Sequence, residues 1–555
     1  MKKFYKMLAI VLLIGLLAVA CAPAAEPVVE EAPAEEEVME EEEAVVEEEA
    51  EEAMESEFLW TKDLRQAIAA AIDREVIVDR VFEGRNIPAY HMVPEGYPFA
   101  TEPFLDKYGV QDLEMSKQLF MDAGFTEDNP FEFDLWYPPE HYGTTTADVM
   151  QVIKEQLEST GVCKVNLEVQ NWAEYVDGFV AGDLPFFILG WFPDFVDPDT
   201  WLTPFASCEQ SPDNGVNYCN EDMDALLQAA AAETDEAARA DLYAQVGELY
   251  ADDVPTIPLF FEPEFITYRT GVEGIAIGAP FEFNYDVLSF GADAVPASGE
   301  TDTIIIGTTD EVNSLDANDA YATHDWEIIK NTGMALMGYT PGTADLVPAL
   351  AADYPTVSDD GMEYTFTLKE GLAFADGTPV TAEDFVYAWD RLNTLEGQVS
   401  GLVQVYVDTV EAVDDVTVVY NLDYPIGFFS ALAATAPFVP VNPAIYPADE
   451  IVAYPETLDG VGAYKMVSHA VGEQMVLEAN PNYSGDAPAI PNVIVKYFAD
   501  PTTMANAVEK GEIDIAWRTL GPVESTRLQS VEGLTVDKVD APALRYMVFN
   551  HTYKK

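Results

Sequence analysis

Carboxylates are the most abundant groups in this chain that could do chemistry. Asp and Glu together number 100, against 26 Lys and Arg. At that density a pair of acids at any spacing arises by chance, so the two-carboxylate arrangement of a glycoside hydrolase carries no information here. The sequence holds no nucleophile elbow, no HExxH pair and no ordered Ser, His and Asp signature. His91, His141, His324, His469 and His551 are scattered and no CxxC spacing accompanies them, so zinc is not expected. Neither catalysis nor a cofactor follows from these residues. The informative run is Gly190-Trp191-Phe192-Pro193-Asp194-Phe195, followed by Asp197, Pro198, Asp199 and Trp201. From the residues alone Asp194 could cap a helix. Asp197 and Asp199 flank Pro198 and read as turn or cap residues. The aromatic rings could equally be core or cleft wall. Gly460-Val461-Gly462-Ala463-Tyr464-Lys465 is glycine-rich, but it lacks the Gly-Lys-Ser/Thr ending and the strand–turn–helix context of a phosphate loop.

The formal net charge of -74 is spread along the whole sequence. It excludes nucleic-acid binding, which needs basic patches, and predicts a solubilising acidic surface. Lys2, Lys3 and Lys6 precede an apolar run over residues 7–20 that leads to Cys21, which describes an export signal. The run is too short to span a membrane comfortably. Leu17-Ala18-Val19-Ala20-Cys21 resembles a bacterial lipobox, with Ala18 where Leu is usual; the resemblance implies lipid attachment at Cys21. Residues 26–57 are almost all Glu, Ala, Val and Pro. Like charges so closely spaced oppose the helix propensity of Glu and Ala, so a disordered tether is expected. Cys208 and Cys219 bracket a short polar loop, and a disulfide is expected between them in an exported chain. Cys163 lies between a helix stop and a strand and reads as a buried thiol.

About 500 residues remain after the tether, too many for one core, which predicts two to four domains. Leu64, Ala67, Ile68, Ala71, Ile72 and Val76 recur at helical spacing, with Gly84 as the stop. Residues 115–123 and the face of Val149, Ile153 and Leu157 predict further helices, as do Ala-rich stretches near 221–231 and 236–251. Residues 131–136, Val165, Leu167 and Val169, and 186–189 read as strands, and another strand starts at Pro258. This first block is α/β. The second block is richer in strands, at 303–307, 364–368 and 416–420, and Thr381 is a plausible N-cap for a helix through Leu392.

Four stretches carry a family resemblance: TDTIIIGTTDEVNSLDANDAYATHDWEIIKN at 301–331, YTFTLKEGLAFADGTPVTAEDFVYAWDRL at 364–392, DLRQAIAAAIDREVIVDRVFEG at 63–84 and GWFPDFVDPDTWL at 190–202. The first two resemble the amino-terminal lobe of family 5 solute-binding proteins, the receptors of peptide-type ABC importers. The last two resemble that family's later lobe, which here comes first. The resemblance implies an α/β fold of the periplasmic-binding-protein-like type II class, two lobes joined by hinge strands, in circularly permuted order. Arg545-Tyr546-Met547-Val548-Phe549-Asn550 is similar to the end of a family hinge strand, after which the chain stops at Lys555. The implied organisation is a signal peptide (1–21), a tether (22–57), the later lobe (58–255), a return segment (256–292), a linker joining the old termini (293–301), the first lobe with an inserted subdomain (302–544) and a hinge strand with its tail (545–555). A break in the loop between hinge strand and helix is a tolerated place to cut, and close termini make the joining geometrically cheap. A fusion of two gene copies, or lobes exchanged between chains, is the competing reading.

By this resemblance the protein is a monomeric receptor, lipid-anchored at the outer face of a bacterial membrane. It closes its lobes on an extended peptide and delivers it to a membrane permease. The same fold could instead take an oligosaccharide, nickel or another small solute. Asp194 is implied as the ligand for the peptide α-ammonium. The backbone of Gly190, Trp191 and Phe192 is implied as one strand edge, and that of Glu311, Val312 and Asn313 as the facing edge. Trp172 and Tyr142 are implied as ligand-contacting rings. Arg65 and Arg74 match family positions and read as structural. Dipeptide-binding relatives place an Arg two residues before the Tyr; this chain has Glu140, which argues against strict dipeptide specificity.

Overall fold

Two long antiparallel strands, Thr256–Arg269 and Leu534–Phe549, organise the molecule. The computed structural model describes residues 58–554, apart from 140, 144 and 279–281. The signal segment, Cys21, the acidic tether and Glu140 lie outside the described residues. Along the two strands the register runs from Leu534↔Arg269 to Val539↔Glu264, slips, resumes from Ala543↔Glu262 to Arg545↔Phe260, and slips again before Tyr546↔Pro258 to Val548↔Thr256. The first slip divides the hydrophobic core of one lobe from that of the other. Residues 60–261 and 544–549 form one core. Residues between 266 and 543, joined by Phe195 and Ala231, form the main core of the other lobe, and a smaller cluster of Phe265, Ile305 and residues 504–528 lies beside it. One end of each crossing strand packs in the first core, and the other end packs against the main core and the smaller cluster of the second lobe.

The sheet that contains the crossing strands continues into both lobes. From one edge its order is Tyr464–Ala470, Gln474–Ala479, Asn492–Tyr497, Thr303–Thr308, Ile515–Trp517, Thr256–Arg269, Leu534–Phe549, Phe186–Trp191, Phe131–Tyr137 and Cys163–Val169. Thr303–Thr308 pairs in parallel with Asn492–Tyr497, and Phe131–Tyr137 with Cys163–Val169. Parallel pairing needs crossover connections, and the helix Thr146–Glu158 supplies one between the last two strands. A separate four-stranded sheet of Thr356–Val357, Glu363–Thr367, Thr417–Leu422 and Val407–Asp414 carries the helix Ala382–Leu395. Thr381 opens that helix with a capping box, the Asp384 side chain accepting from the Thr381 backbone. Among the described residues no helix is long and apolar enough to cross a membrane.

The two ends of the described chain meet. Phe58 bridges Lys554, and the Leu59 N–H donates to the Tyr553 carbonyl at 2.8 Å. Trp60 follows and packs among Phe131, Phe133, Phe186 and Phe549 with ring centroids 5.0–5.6 Å away, its Nε1 donating to the Pro185 carbonyl. An aromatic body with one satisfied polar tip suits a core position.

Several elements differ from the sequence-based expectation. The single helix expected from Leu64 to Gly84 is two, Lys62–Ala71 and Arg74–Phe82. Asp73 breaks it because its carboxylate accepts from the Val76 N–H at 2.9 Å, a local cap that competes with a continuous helix. The strand recognised only from Arg545 onward begins at Leu534. The first-block helices and strands otherwise lie within a few residues of expectation, including Glu221–Ala232 and Glu236–Asp253. The glycines of 460–465 are required by close approach: a Cβ on either Gly460 or Gly462 would collide with the backbone at Thr332.

Candidate functional site

Phe186, Phe187, Ile188 and Leu189 are buried, and they anchor the strand that carries the candidate site. Its partner, the end of Leu534–Phe549, holds it from Phe186↔Phe549 to Trp191↔Leu544. On the other side it meets Phe131–Tyr137 only at Trp136↔Phe187, so the strand end reaches beyond its neighbour. Gly190 is needed there: a Cβ would sit 2.5 Å from Arg545 Nη1 and 3.0 Å from a Tyr142 ring carbon. Pro193 ends the strand, and Pro198 precedes the helix Asp199–Ala206.

Past Gly190 the chain enters a crevice between the lobes. A cavity of about 310 Å³ lies there, lined from one lobe by Gly190, Trp191, Phe192, Pro193 and Asp194. The other lobe contributes Glu282, Phe283 and Asn284, and part of the segment 321–331, which includes the helix Thr323–Thr332. Asp194 Oδ2 accepts from the Tyr321 hydroxyl at 3.1 Å, a hydrogen bond that spans the two lobes. The Asp194 N–H donates to Thr200 Oγ1 at 3.2 Å. Burial raises the Asp194 carboxyl to about 7, and the hydrogen bonds from Tyr321 and Thr200 only partly oppose this. Asp194 and Tyr321 keep surface open to the cavity, so the desolvation belongs to a narrow crevice rather than to a sealed core. Trp191 is fixed by Nε1 donating to the Thr200 carbonyl at 2.9 Å. The Phe192 ring lies beneath the Arg518 guanidinium at 5.7 Å.

Tyr142 and Trp172 form a second group on the other side of Gly190. The Gly190 N–H donates to the Tyr142 hydroxyl at 3.0 Å. The Arg545 guanidinium covers the Tyr142 ring at 4.5 Å and pairs with Glu262. Trp172 stacks on His141 with centroids 3.5 Å apart, and Asn171 caps its helix Trp172–Ala181. Burial lowers the His141 imidazole to about 4. Neither Tyr142 nor Trp172 lines the cavity beside Asp194.

The segment Glu311, Val312 and Asn313 is also apart from that cavity. Its expected free edge is partly occupied. The Asn313 and Ser314 N–H groups donate to Asp325, and the Val312 carbonyl accepts from Tyr454 at 3.1 Å. In this structure the Gly190 N–H is likewise taken, so neither backbone edge is wholly open.

Other acidic residues hold the lobes rather than face the cavity. Asp197 accepts two hydrogen bonds from Arg239, and Asp199 Oδ2 accepts from the Tyr406 hydroxyl of the opposite lobe at 3.0 Å. Nearby, Phe195 stacks on Phe428 at 5.1 Å and the Val196 N–H donates to the Tyr339 hydroxyl. Arg65 donates to the carbonyls of Asp253 and Trp60, and Arg74 donates to that of Pro258 while lying over Tyr90 and Phe104. Cys208 and Cys219 form a disulfide, and Cys163 is a buried free thiol. No group of three or more metal-ligating side chains occurs among the described residues. The cavity's second wall had no sequence signal at Glu282 or Asn284. A weak one existed at Trp326 and Lys330, four apart on one helix face.

Residues 51–213 and 345–555 match the family described as bacterial extracellular solute-binding proteins, family 5 Middle. This chain belongs to that family. Its α/β two-lobed architecture is of the periplasmic-binding-protein type II class. Among the family's members, it is 30% identical over 278 residues to a probable D,D-dipeptide-binding periplasmic protein of Escherichia coli, covering 48% of this chain and 52% of that protein. It is 31% identical over 202 residues to the periplasmic oligopeptide-binding protein of Salmonella typhimurium, covering 36% of each. The solved structure of the Escherichia coli murein tripeptide binding protein is 26% identical, with a TM-score of 0.37, covering 42% of this chain and 48% of that one. The chain thus spans about half, or less, of the length of the curated relatives it matches.

Proposed function

We propose that this family 5 protein is the substrate-binding receptor of a peptide-type ABC importer. It captures extended peptides between its lobes and presents them to a membrane permease. One observation carries the reading: a desolvated carboxylate, Asp194, lines an aromatic-walled crevice between two separately cored lobes. An α-ammonium entering there would replace the Tyr321 hydrogen bond with a charge-assisted one. The crossing strands at Glu262–Glu264 and Val539–Ala543 offer the hinge for closure, since the register breaks there. The relatives named above for dipeptides and oligopeptides favour the same ligand class. Calorimetric titration with a free-amine tripeptide and its N-acetylated form tests it. The free amine should bind much more tightly, and equal affinity would sink the assignment of Asp194 as amine site.

The receptor would be held at the outer face of a bacterial membrane through a lipid on Cys21 and the acidic tether. Mass spectrometry of the membrane-extracted protein should find the polypeptide beginning at a diacylated Cys21. The reversed lobe order is read as a circular permutation within one chain. It is supported by the pairing of residues 58–59 with 553–554 in the same lobe. A reordered chain running from Ser298 through Lys555, joined to Glu57 and ending near Phe290, is expected to fold and bind as the native order does. Loss of binding in that chain would argue against simple permutation.

A further inference from the structure

We infer that the crevice beside Asp194 contains a second subsite, built by Glu282, Asn284 and Trp326, that takes a cationic side chain from the first residue of the peptide. The inference rests on the receptor reading above. Three carboxylates line it (Asp194, Glu282 and Glu327) against one ammonium, Lys330. Glu327 is satisfied internally, accepting from the Tyr285 hydroxyl and from Trp517 Nε1. Glu282 pairs with Lys330, whose ammonium also lies 5.8 Å from the Trp326 ring centroid. The Lys330 charge is thus already matched from two sides.

The Tyr321, Lys330 and Asn331 donors of the cavity are already spent, on Asp194, on Glu282 and on the Phe283 and Glu327 carbonyls. Asn284 lines the same space, and its Oδ1 atom is buried against the cavity wall without a hydrogen-bond partner. A buried acceptor without a partner is a standing penalty that a ligand donor can remove. An anionic side chain would have to displace Glu282 from Lys330 while facing Asp194 and Glu327. A cationic one meets the Glu282 carboxylate, the Asn284 side chain, whose acceptor lacks a partner, and the face of Trp326. Its methylene stem would pack on Phe192, Trp191 and Phe283, as long charged side chains do on apolar surface. Neutral apolar side chains could use those walls but would leave Asn284 unpaired.

The test is calorimetry with three tripeptides, Lys-Ala-Ala, norleucine-Ala-Ala and Glu-Ala-Ala, on the native protein and two variants. On the native protein the lysine peptide should bind at least about tenfold more tightly than the norleucine peptide, with the glutamate peptide weakest. Glu282→Gln should cut the lysine preference to a few-fold or less, with little change for norleucine. Lys330→Met, which frees Glu282, should enlarge that preference. Equal binding of the lysine and norleucine peptides by the native protein overturns the inference and leaves the receptor reading standing. Tightest binding of the glutamate peptide also overturns it and would assign Lys330 as an anion site. Failure of all three to bind overturns the receptor reading, and this inference with it.

Discussion

On one side of Gly190, the Tyr142, His141 and Trp172 rings and the Arg545–Glu262 pair occupy one another. On the other side, Asp194 projects into an open crevice with one hydrogen bond from across the gap. Both groups flank the same residue, Gly190, and both are rich in aromatic and charged residues. The difference lies in which groups still need partners. Tyr142 accepts the Gly190 N–H, and its ring is covered by a cation; an arrangement of this kind stiffens the strand end. Asp194 is desolvated without a cation, so an incoming ammonium gains more there than at any group already paired. The lesson is that aromatic density marks a neighbourhood, whereas an uncompensated charge marks the point where a ligand is held.

The sharpest way to break this contrast is to remove the carboxylate. Asp194→Ala is expected to weaken free-amine peptide binding by about 2–5 kcal/mol, if a desolvated charge pair is lost. Unchanged affinity in calorimetry would take Asp194 out of the site. Tyr142→Phe should act on stability instead. It leaves the Gly190 N–H without its acceptor, which is expected to lower unfolding free energy in urea by about 1–3 kcal/mol while peptide affinity shifts less than in Asp194→Ala. Should Tyr142→Phe reduce affinity as far as Asp194→Ala does, the two regions are one site.

The pH dependence sharpens the contrast further. A ligand ammonium needs Asp194 ionised, and its carboxyl titrates at about 7. Below that pH a proton competes with the ligand, and affinity is expected to fall by up to about tenfold per unit. Asp194→Asn should bind weakly at every pH and lose this slope. For the unliganded protein the sign is opposite to that of a salt-bridged acid. The folded state keeps the Asp194 proton to a higher pH than the unfolded state, so this group's contribution to stability is lost as pH rises from the ordinary aspartate range through about 7. Asp194→Asn should therefore gain more in melting temperature over the native protein at pH 8 than at pH 4. A constant difference would show that Asp194 is not desolvated.

Much of the architecture was legible because it is local. Apolar spacing over 149–157 and alternation over 131–136 marked the helix and strand found there, and Thr381 announced its capping box. The break at Asp73 was missed because helical spacing continues across it, while the cap is a single side-chain contact. The front half of the strand Leu534–Phe549 was missed because its pairing lies with Thr256–Arg269, far away in sequence. For the same reason Asp194 was named from one chain segment, whereas Glu282, Asn284, Tyr321 and Lys330 on the facing wall were not.

The amino-acid sequence by itself determined the acidic surface, the cysteines that pair, the family and most local elements, because composition and short-range periodicity are properties of neighbours along the chain. Only the tertiary structure decided that Asp194 lacks a cation while Tyr142 has one, that Gly190 must stay bare beneath Arg545, and that Asn284 keeps a buried acceptor unpaired. Those are properties of desolvation and partnership, and they exist only when segments from two lobes exclude water from the same small space.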